Sequence, residues 1–169
     1  MEGKAVFGGP DRRYRYRLER QWAEGPHVCF VMLNPSTADR KKPDPTLTRC
    51  IDFAQRWKFG GLVLVNLFAL KSPDPKSLRI ARAKGIDPVG NSNNRHLIKA
   101  AQDAPKVILA WGNNGRFEGR AGLVSELLTK HARQKLWCLG TTKPGQPRHP
   151  LYVPKQTTLI RWRSQDSKE

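Results

Sequence analysis

Four short apolar runs constrain this chain more than any other feature. They fall at residues 27–33, 62–67, 106–111 and 135–139; Asn34, Gly112 and Gly140 follow three of them, and Asn66 interrupts the second near its carboxyl end. Runs of this length read as strands buried on both faces. The segments between them carry apolar residues at helical spacing. Asp44 followed by Pro45 has the form of an N-cap with proline in the first turn. Leu47, Cys50, Ile51, Ala54 and Trp57 then recur on one helical face, and Gly60-Gly61 is expected to end that helix. Asn91 or Ser92 suits the cap of a second helix running to about Gln102, and Leu123, Leu127 and Leu128 mark a third. Strands alternating with amphipathic helices predict an α/β fold: a three-layer α/β/α arrangement around a mostly parallel central sheet.

The remaining segments are less regular. Residues 12–18 alternate basic with apolar side chains, as in a strand with one wet face. Such an arginine row either contacts phosphates or discourages edge-to-edge pairing. Residues 71–88 are rich in proline and charge and read mostly as loop, whereas 157–162 suits a final strand. With 169 residues, the expected organisation is one domain over 1–163 and a polar, frayed tail over 164–169. The opening residues lack the hydrophobic core of a signal peptide, and no apolar run approaches the roughly 20 residues of a membrane helix. Cys29, Cys50 and Cys138 form no C-x-x-C pair, which argues against a cysteine metal site or a disulfide framework and fits a cytoplasmic protein. The expected cofactor and metal content is none.

Charge narrows the partners. The chain holds 31 Lys and Arg against 14 Asp and Glu, for a net charge of +17. Such a field attracts polyanions, and nucleic acid, single- or double-stranded DNA, is the partner it best suits. No membrane partner and no obligatory protein partner is expected.

In open α/β sheets ligands bind beyond the carboxyl ends of the strands. The loops beginning near Asn34, Asn66, Gly112 and Gly140 should lie there, and polar residues concentrate in them. Asn34 can orient a water molecule or simply cap a turn before Pro35. Asn66 breaks an apolar strand, so its amide either pairs with a neighbouring loop or reads a ligand edge. His149 is held between Pro147-Arg148 and Pro150, where it can donate to a developing anion or make a structural bond. Lys143 and Arg148 suit backbone phosphates. Asp44 is most simply a cap, Asp39 lies near the Asn34 loop, and Gly112-Asn113-Asn114-Gly115 is a turn that can approach a phosphate. His27, His96 and His131 read as structural or surface residues.

Taken in order, several segments resemble a bacterial and phage family of unknown function, DUF1643. They are Met32-Leu33-Asn34-Pro35-Ser36-Thr37-Ala38-Asp39, Asp44-Pro45-Thr46, Val65-Asn66-Leu67-Phe68-Ala69, Ala110-Trp111-Gly112 and the stretch from Gly145 through His149 to Tyr152. The order of Leu33-Asn34-Pro35, Leu64-Val65-Asn66 and His149-Pro150-Leu151 is also similar, more distantly, to the uracil-DNA glycosylase superfamily. That likeness implies the fold of those enzymes and a monofunctional DNA glycosylase that flips a base out of DNA and hydrolyses its N-glycosidic bond, in repair, phage defence or DNA modification. By it, Asn34 positions water, Asn66 reads the base and His149 stabilises charge on the departing base. Ser36 replaces a bulky aromatic and implies a roomier pocket, for a modified base. Phe68 and Trp111 are the candidates for stacking on the base, Lys143 and Arg148 hold the backbone, and Leu151 replaces the serine of the last motif. A non-catalytic nucleic-acid-binding module and a nucleoside- or nucleotide-processing enzyme are the alternative readings.

Overall fold

The computed structural model describes residues 1–36 and 44–163. Asp39 and the tail over 164–169 lie outside the described residues. The elements follow in the order β1 (Glu2–Gly8), β2 (Tyr14–Gln21), β3 (His27–Met32), α1 (Pro45–Arg56), β4 (Gly61–Asn66), α2 (Lys76–Ala83), α3 (Asn93–Asp103), β5 (Val107–Leu109), α4 (Arg120–Ala132), β6 (Leu136–Cys138) and β7 (Ile160–Arg161).

The seven strands form one sheet ordered β1-β2-β4-β3-β5-β6-β7. The four central strands are parallel, because each crossover between them carries a helix. Both flanks are antiparallel: β1 with β2, β2 with β4, and β7 with β6. The sheet is therefore mixed, and the expectation of a mostly parallel one is corrected. The short link from β1 to β2 and the long loop returning to β7 contain no crossover helix, so those strands reverse direction. β1 itself went unread in the sequence because nearly all of its residues are exposed.

Alternate residues of each central strand enter two separate cores. Phe30, Met32, Leu62 and Leu64 pack under Cys50, Phe53 and Ala54 of α1. Val31, Val63, Val65 and Leu109 pack against Leu78 of α2, Leu97 of α3, and Val124 and Leu128 of α4. Burial on both faces explains why these strands read as continuous apolar runs. The chain order makes β3 the point at which successive crossovers change sides, the position where such sheets open a crevice.

Three local readings are corrected. Residues 71–88 contain α2, a short helix burying Leu78 and Ala81. It opens on Asp74-Pro75, and Asp74 Oδ1 accepts from the Ser77 amide at 3.0 Å. This repeats the signal that starts α1, masked by the density of charge and proline around it. Helix α1 does not run to the glycines: it ends at Arg56, and Lys58 takes the left-handed conformation at φ 64°. Gly60 instead serves close approach, since a Cβ there would lie 2.5 Å from the Glu24 carbonyl oxygen.

The third correction concerns the arginine row. In the β1–β2 register Val6 opposes Arg17 and Phe7 opposes Arg15, leaving Tyr16 as an extra residue. Such a bulge reverses the parity of the strand. Tyr16 stacks on His96 of α3 at 5.0 Å, whereas Leu18 joins the core beneath α1. Arg15 is thereby sent to the α1 side, away from Arg17, so the arginines do not form one wet face.

Candidate functional site

A cleft of about 590 Å³ opens at the carboxyl ends of the central strands. Met32, Leu64 and Asn66 line its floor, with Arg15 from the next strand over. Its walls carry Asn34 and Ser36 after β3, Ser72 and Asp74 after β4, Trp111 to Asn114 after β5, and Thr142, Arg148 and His149 after β6. Asp44 and Thr46 contribute the start of α1, and Leu151 and Tyr152 the rim beyond His149. Asn34, Ser36, Asn66, Trp111, Arg148 and His149, singled out in the sequence, are thus brought together. Phe68 and Lys143 are not. Phe68 is fully buried in the opposite core, tilted against Phe117 at 5.6 Å, so no face of its ring is open to a ligand. Lys143 is exposed and away from the lining.

The Asn34 amide is oriented by its neighbours. Its Nδ2 donates to Ser72 Oγ at 2.7 Å and to the Pro35 carbonyl at 3.1 Å. Ser72 Oγ in turn donates its single proton to the Asp74 carbonyl at 3.0 Å, so toward Asn34 it can only accept. Asn34 Oδ1 is consequently the atom left for a further donor, such as water.

Asn66 closes β4 and is only 4% exposed. Among the described residues no group hydrogen-bonds its carboxamide, which lines the cleft floor. A ligand edge entering the cleft can pair with it. Its backbone, by contrast, is clamped. Asn93 Nδ2, fully buried, donates to the Asn66 and Leu67 carbonyls at 2.9 and 3.0 Å. Arg120 Nε donates to the same Leu67 carbonyl at 2.8 Å. Side chains of α3 and α4 therefore fix the strand end from behind.

His149 is held by the turn that follows it. The Leu151 amide donates to its Nδ1 at 3.1 Å, which places the imidazole proton on Nε2. Burial lowers its pKa, with the Asp44 carboxylate opposing, so the ring is neutral at pH 7 and offers one N–H donor. Arg49 of α1 donates to the Pro150 and Val153 carbonyls at 3.3 and 3.0 Å and anchors this turn. Thr142 Oγ1 donates to Asn113 Oδ1 at 2.6 Å, tying the β6 loop to the β5 loop. Arg148 Nε donates to the Thr141 carbonyl at 3.1 Å while the residue stays exposed at the rim.

Trp111 is almost wholly buried, with its indole N–H donating to Gln146 Oε1 at 2.9 Å and its ring edge-on to Trp162. The aromatic presented to solvent at the cleft is Tyr152, 79% exposed and 5.4 Å from the His149 ring. Sequence reasoning passed over it and Ser72, and took Arg15 only as part of the arginine row. Among the described residues the buried Arg15 Nε has no hydrogen-bond partner, and burial lowers the pKa of this guanidinium while Asp44 opposes the shift. Asp44 Oδ1 accepts from the Thr46 and Leu47 amides at 2.9 and 3.2 Å and caps α1 as the sequence indicated.

All three cysteines are buried and unpaired, and burial pushes the Cys29 thiol up to about 12, so these are packing residues rather than nucleophiles. Among the described residues no helix is long and apolar enough to cross a membrane.

Compared with known proteins, the chain matches one family model, that of a protein of unknown function (DUF1643), over residues 15–151. Neither a curated protein nor a solved structure matches it.

Proposed function

We propose that this chain, which belongs to the DUF1643 family, binds DNA and hydrolyses the N-glycosidic bond of an extruded base. The observation that carries the reading is the convergence of Asn34, Asn66 and His149 on one cleft. These residues come from loops more than a hundred positions apart at the extremes, and each offers the chemistry the reaction requires. The distant likeness of their motifs to the uracil-DNA glycosylase superfamily supplies the roles.

In the proposed step a water oxygen forms a bond to the anomeric carbon, the carbon–nitrogen bond breaks with its electron pair passing to the base, and the proton that the water loses is taken up by the departing base. Asn34 Oδ1 accepts a proton-bearing edge of that water. Asn66 and the His149 Nε2–H donate to the base as negative charge develops on it, and preorganised donors of this kind stabilise a transition state more than a ground state. The neutral state of His149 suits a hydrogen-bond donor of fixed tautomer. Asp44 brings a carboxylate to the same cleft, where positive charge on the sugar would feel it. Arg148 is placed for a flanking phosphate, and Tyr152 offers an exposed ring on which a base can stack. The net charge of +17 favours a polymer over a free nucleotide.

Labelled DNA carrying assorted modified bases, incubated with protein and then alkali, tests the reading. Cleavage at one base type, lost in Asn34→Ala while DNA binding persists, is the expected result. If no base in the panel is released although the DNA binds, the non-catalytic binding module is the better description. Asp44 and Asp74 on the cleft walls favour one further reading, a free-nucleoside enzyme, because carboxylates disfavour a phosphate backbone running through the cleft. Release of base from nucleosides but not from DNA would establish it.

A further inference from the structure

A second cavity, of about 660 Å³, shares Trp111 with the cleft and has no part in the proposed chemistry. One wall is a face of α4 that carries Ser125, Lys130 and Arg133. The other is the Gly145-Gln146 turn of the β6 loop together with Trp162, just past β7. Its volume is that of a small-molecule site, a range of about 300–1,000 Å³. Gly122 in the first turn of α4 keeps it open, since a Cβ there would meet nothing within 4 Å.

The polar groups on these walls are mostly donors. The Trp111 indole donates to Gln146 Oε1 at 2.9 Å, which fixes the amide and leaves both Nε2 protons unused among the described residues. Trp162 Nε1 donates to Ser125 Oγ at 3.0 Å, so the serine proton is left to donate elsewhere. Lys130 and Arg133 are exposed and enter no ion pair among the described residues. Glu126 is the single carboxylate in the lining, outnumbered by the two cations and able to accept from a hydroxyl. Trp162 is half-buried, and its bond to Ser125 holds the indole in one orientation beside the cavity. Donors facing a cavity call for an acceptor-rich ligand, and a fixed indole calls for a flat ring. A nucleotide unit joins the two: phosphate oxygens suit Lys130 and Arg133, and a base suits Trp162 and the Gln146 amide.

We propose that this groove is a second ligand site, which takes a ring-bearing anion with the chemistry of a mononucleotide. The occupant is a free nucleotide or a further nucleotide of a strand held at the cleft, and both present the same ring and phosphate. The site does not require that the cleft cleave, or even bind, a base. It is nonetheless placed to report to the cleft. Gln146 belongs to the loop that carries Arg148 and His149, and the Gly112 amide donates to the Pro147 carbonyl between them at 2.9 Å.

Calorimetry with thymidine and deoxyadenosine 5′-monophosphates, against the two nucleosides and inorganic phosphate, tests the free source. Anisotropy with a labelled single-stranded oligonucleotide tests the strand. Both are repeated on Gly122→Phe, which fills the groove where there is room and replaces a helical glycine. They are repeated again on Lys130→Gln/Arg133→Gln, which removes two exposed cations. Neither variant should lower Tm appreciably. For a free ligand, the monophosphate should bind about tenfold or more tightly than the nucleoside or phosphate alone, and both variants should abolish that margin. Asn34→Ala, in the cleft, should keep it. For a strand, the same two variants should lower oligonucleotide affinity about tenfold. Monophosphate binding that survives Gly122→Phe but not Asn34→Ala belongs to the cleft and overturns the inference. So do affinities that neither variant alters, phosphate binding as tightly as the monophosphate, and no binding in either arm. Base release from DNA is read separately. Its absence with groove binding retained removes the catalytic reading and keeps this site, whereas base release without groove binding removes this site alone.

Discussion

Asn93→Leu tests whether the strand end that carries Asn66 is held from behind. Asn93 is fully buried, and its Nδ2 bonds the carbonyls of Asn66 and Leu67 at 2.9 and 3.0 Å. Leucine has nearly the same volume, so cavity formation contributes little. Two hydrogen bonds are lost, each contributing about 1 kcal/mol. The Leu67 carbonyl keeps Arg120 as a donor, while the Asn66 carbonyl loses Asn93 and takes a desolvation cost of about 1–3 kcal/mol. Against this, Asn93 Oδ1 is buried with no partner among the described residues, and removing it relieves a cost of comparable size. The net destabilisation should be about 2 kcal/mol. For a chain of this length that lowers Tm by about 4–8 °C. Urea unfolding followed by tryptophan fluorescence should show a lower midpoint with an unchanged m-value. Ligand affinity should fall as well, because the Asn66 side chain inherits any movement of its backbone. A change below about 0.5 kcal/mol with affinity intact would refute the idea that this clamp positions the cleft floor.

Three further outcomes follow from the same geometry. Asp44→Asn should preserve the α1 cap and change stability by less than about 0.5 kcal/mol, whereas Asp44→Ala should cost about 1 kcal/mol in chemical denaturation. His149 and His96 both have pKa values lowered by burial from the ordinary 6.5. The unfolded chain therefore binds more protons than the folded one just below that pH, and stability should fall as pH drops through it. The double variant His96→Gln/His149→Gln should show a shallower loss between pH 7.5 and 5.5 in urea midpoints. Tyr152→Ala should weaken single-stranded DNA binding by about 1–3 kcal/mol in anisotropy titrations while leaving Tm unchanged, since an exposed ring contributes little to folding.

Much of the architecture was legible along the chain because its signals are local. The β3, β4, β5 and β6 segments announce themselves by burial on two faces, and Asp44-Pro45 marks the start of α1 within hydrogen-bonding distance of its own amides. The loop ends that meet in the cleft were legible for a related reason. A polar residue closing an apolar strand of a parallel sheet has only one end of the molecule to go to. The second Asp-Pro pair, at Asp74-Pro75, carried the same information and was obscured by its surroundings. The flanking strands were harder. β1 has almost no buried side chain to betray it, and the direction of β2 and β7 depends on connections rather than composition.

Side-chain accessibility was not legible in the same way. Phe68 and Tyr152 look equally able to stack on a base in the sequence, yet one is sealed in a core and the other stands in solvent. The difference arises because Phe68 follows the strand into the α2–α4 side, while Tyr152 sits on a turn that Arg49 holds at the surface.

By itself, then, the order of residues determined which segments are strands and helices and which polar groups stand at their ends, since hydrogen bonding and apolar periodicity act over a few positions. Tertiary structure alone decided which way those groups point. One extra residue opposite β1 reverses the parity of β2 and carries Arg15 into the cleft, and that register is set by the pairing of two strands rather than by β2 alone. Pairing of this kind is not written in one segment, because a pleat alternates every residue and a single insertion exchanges its faces.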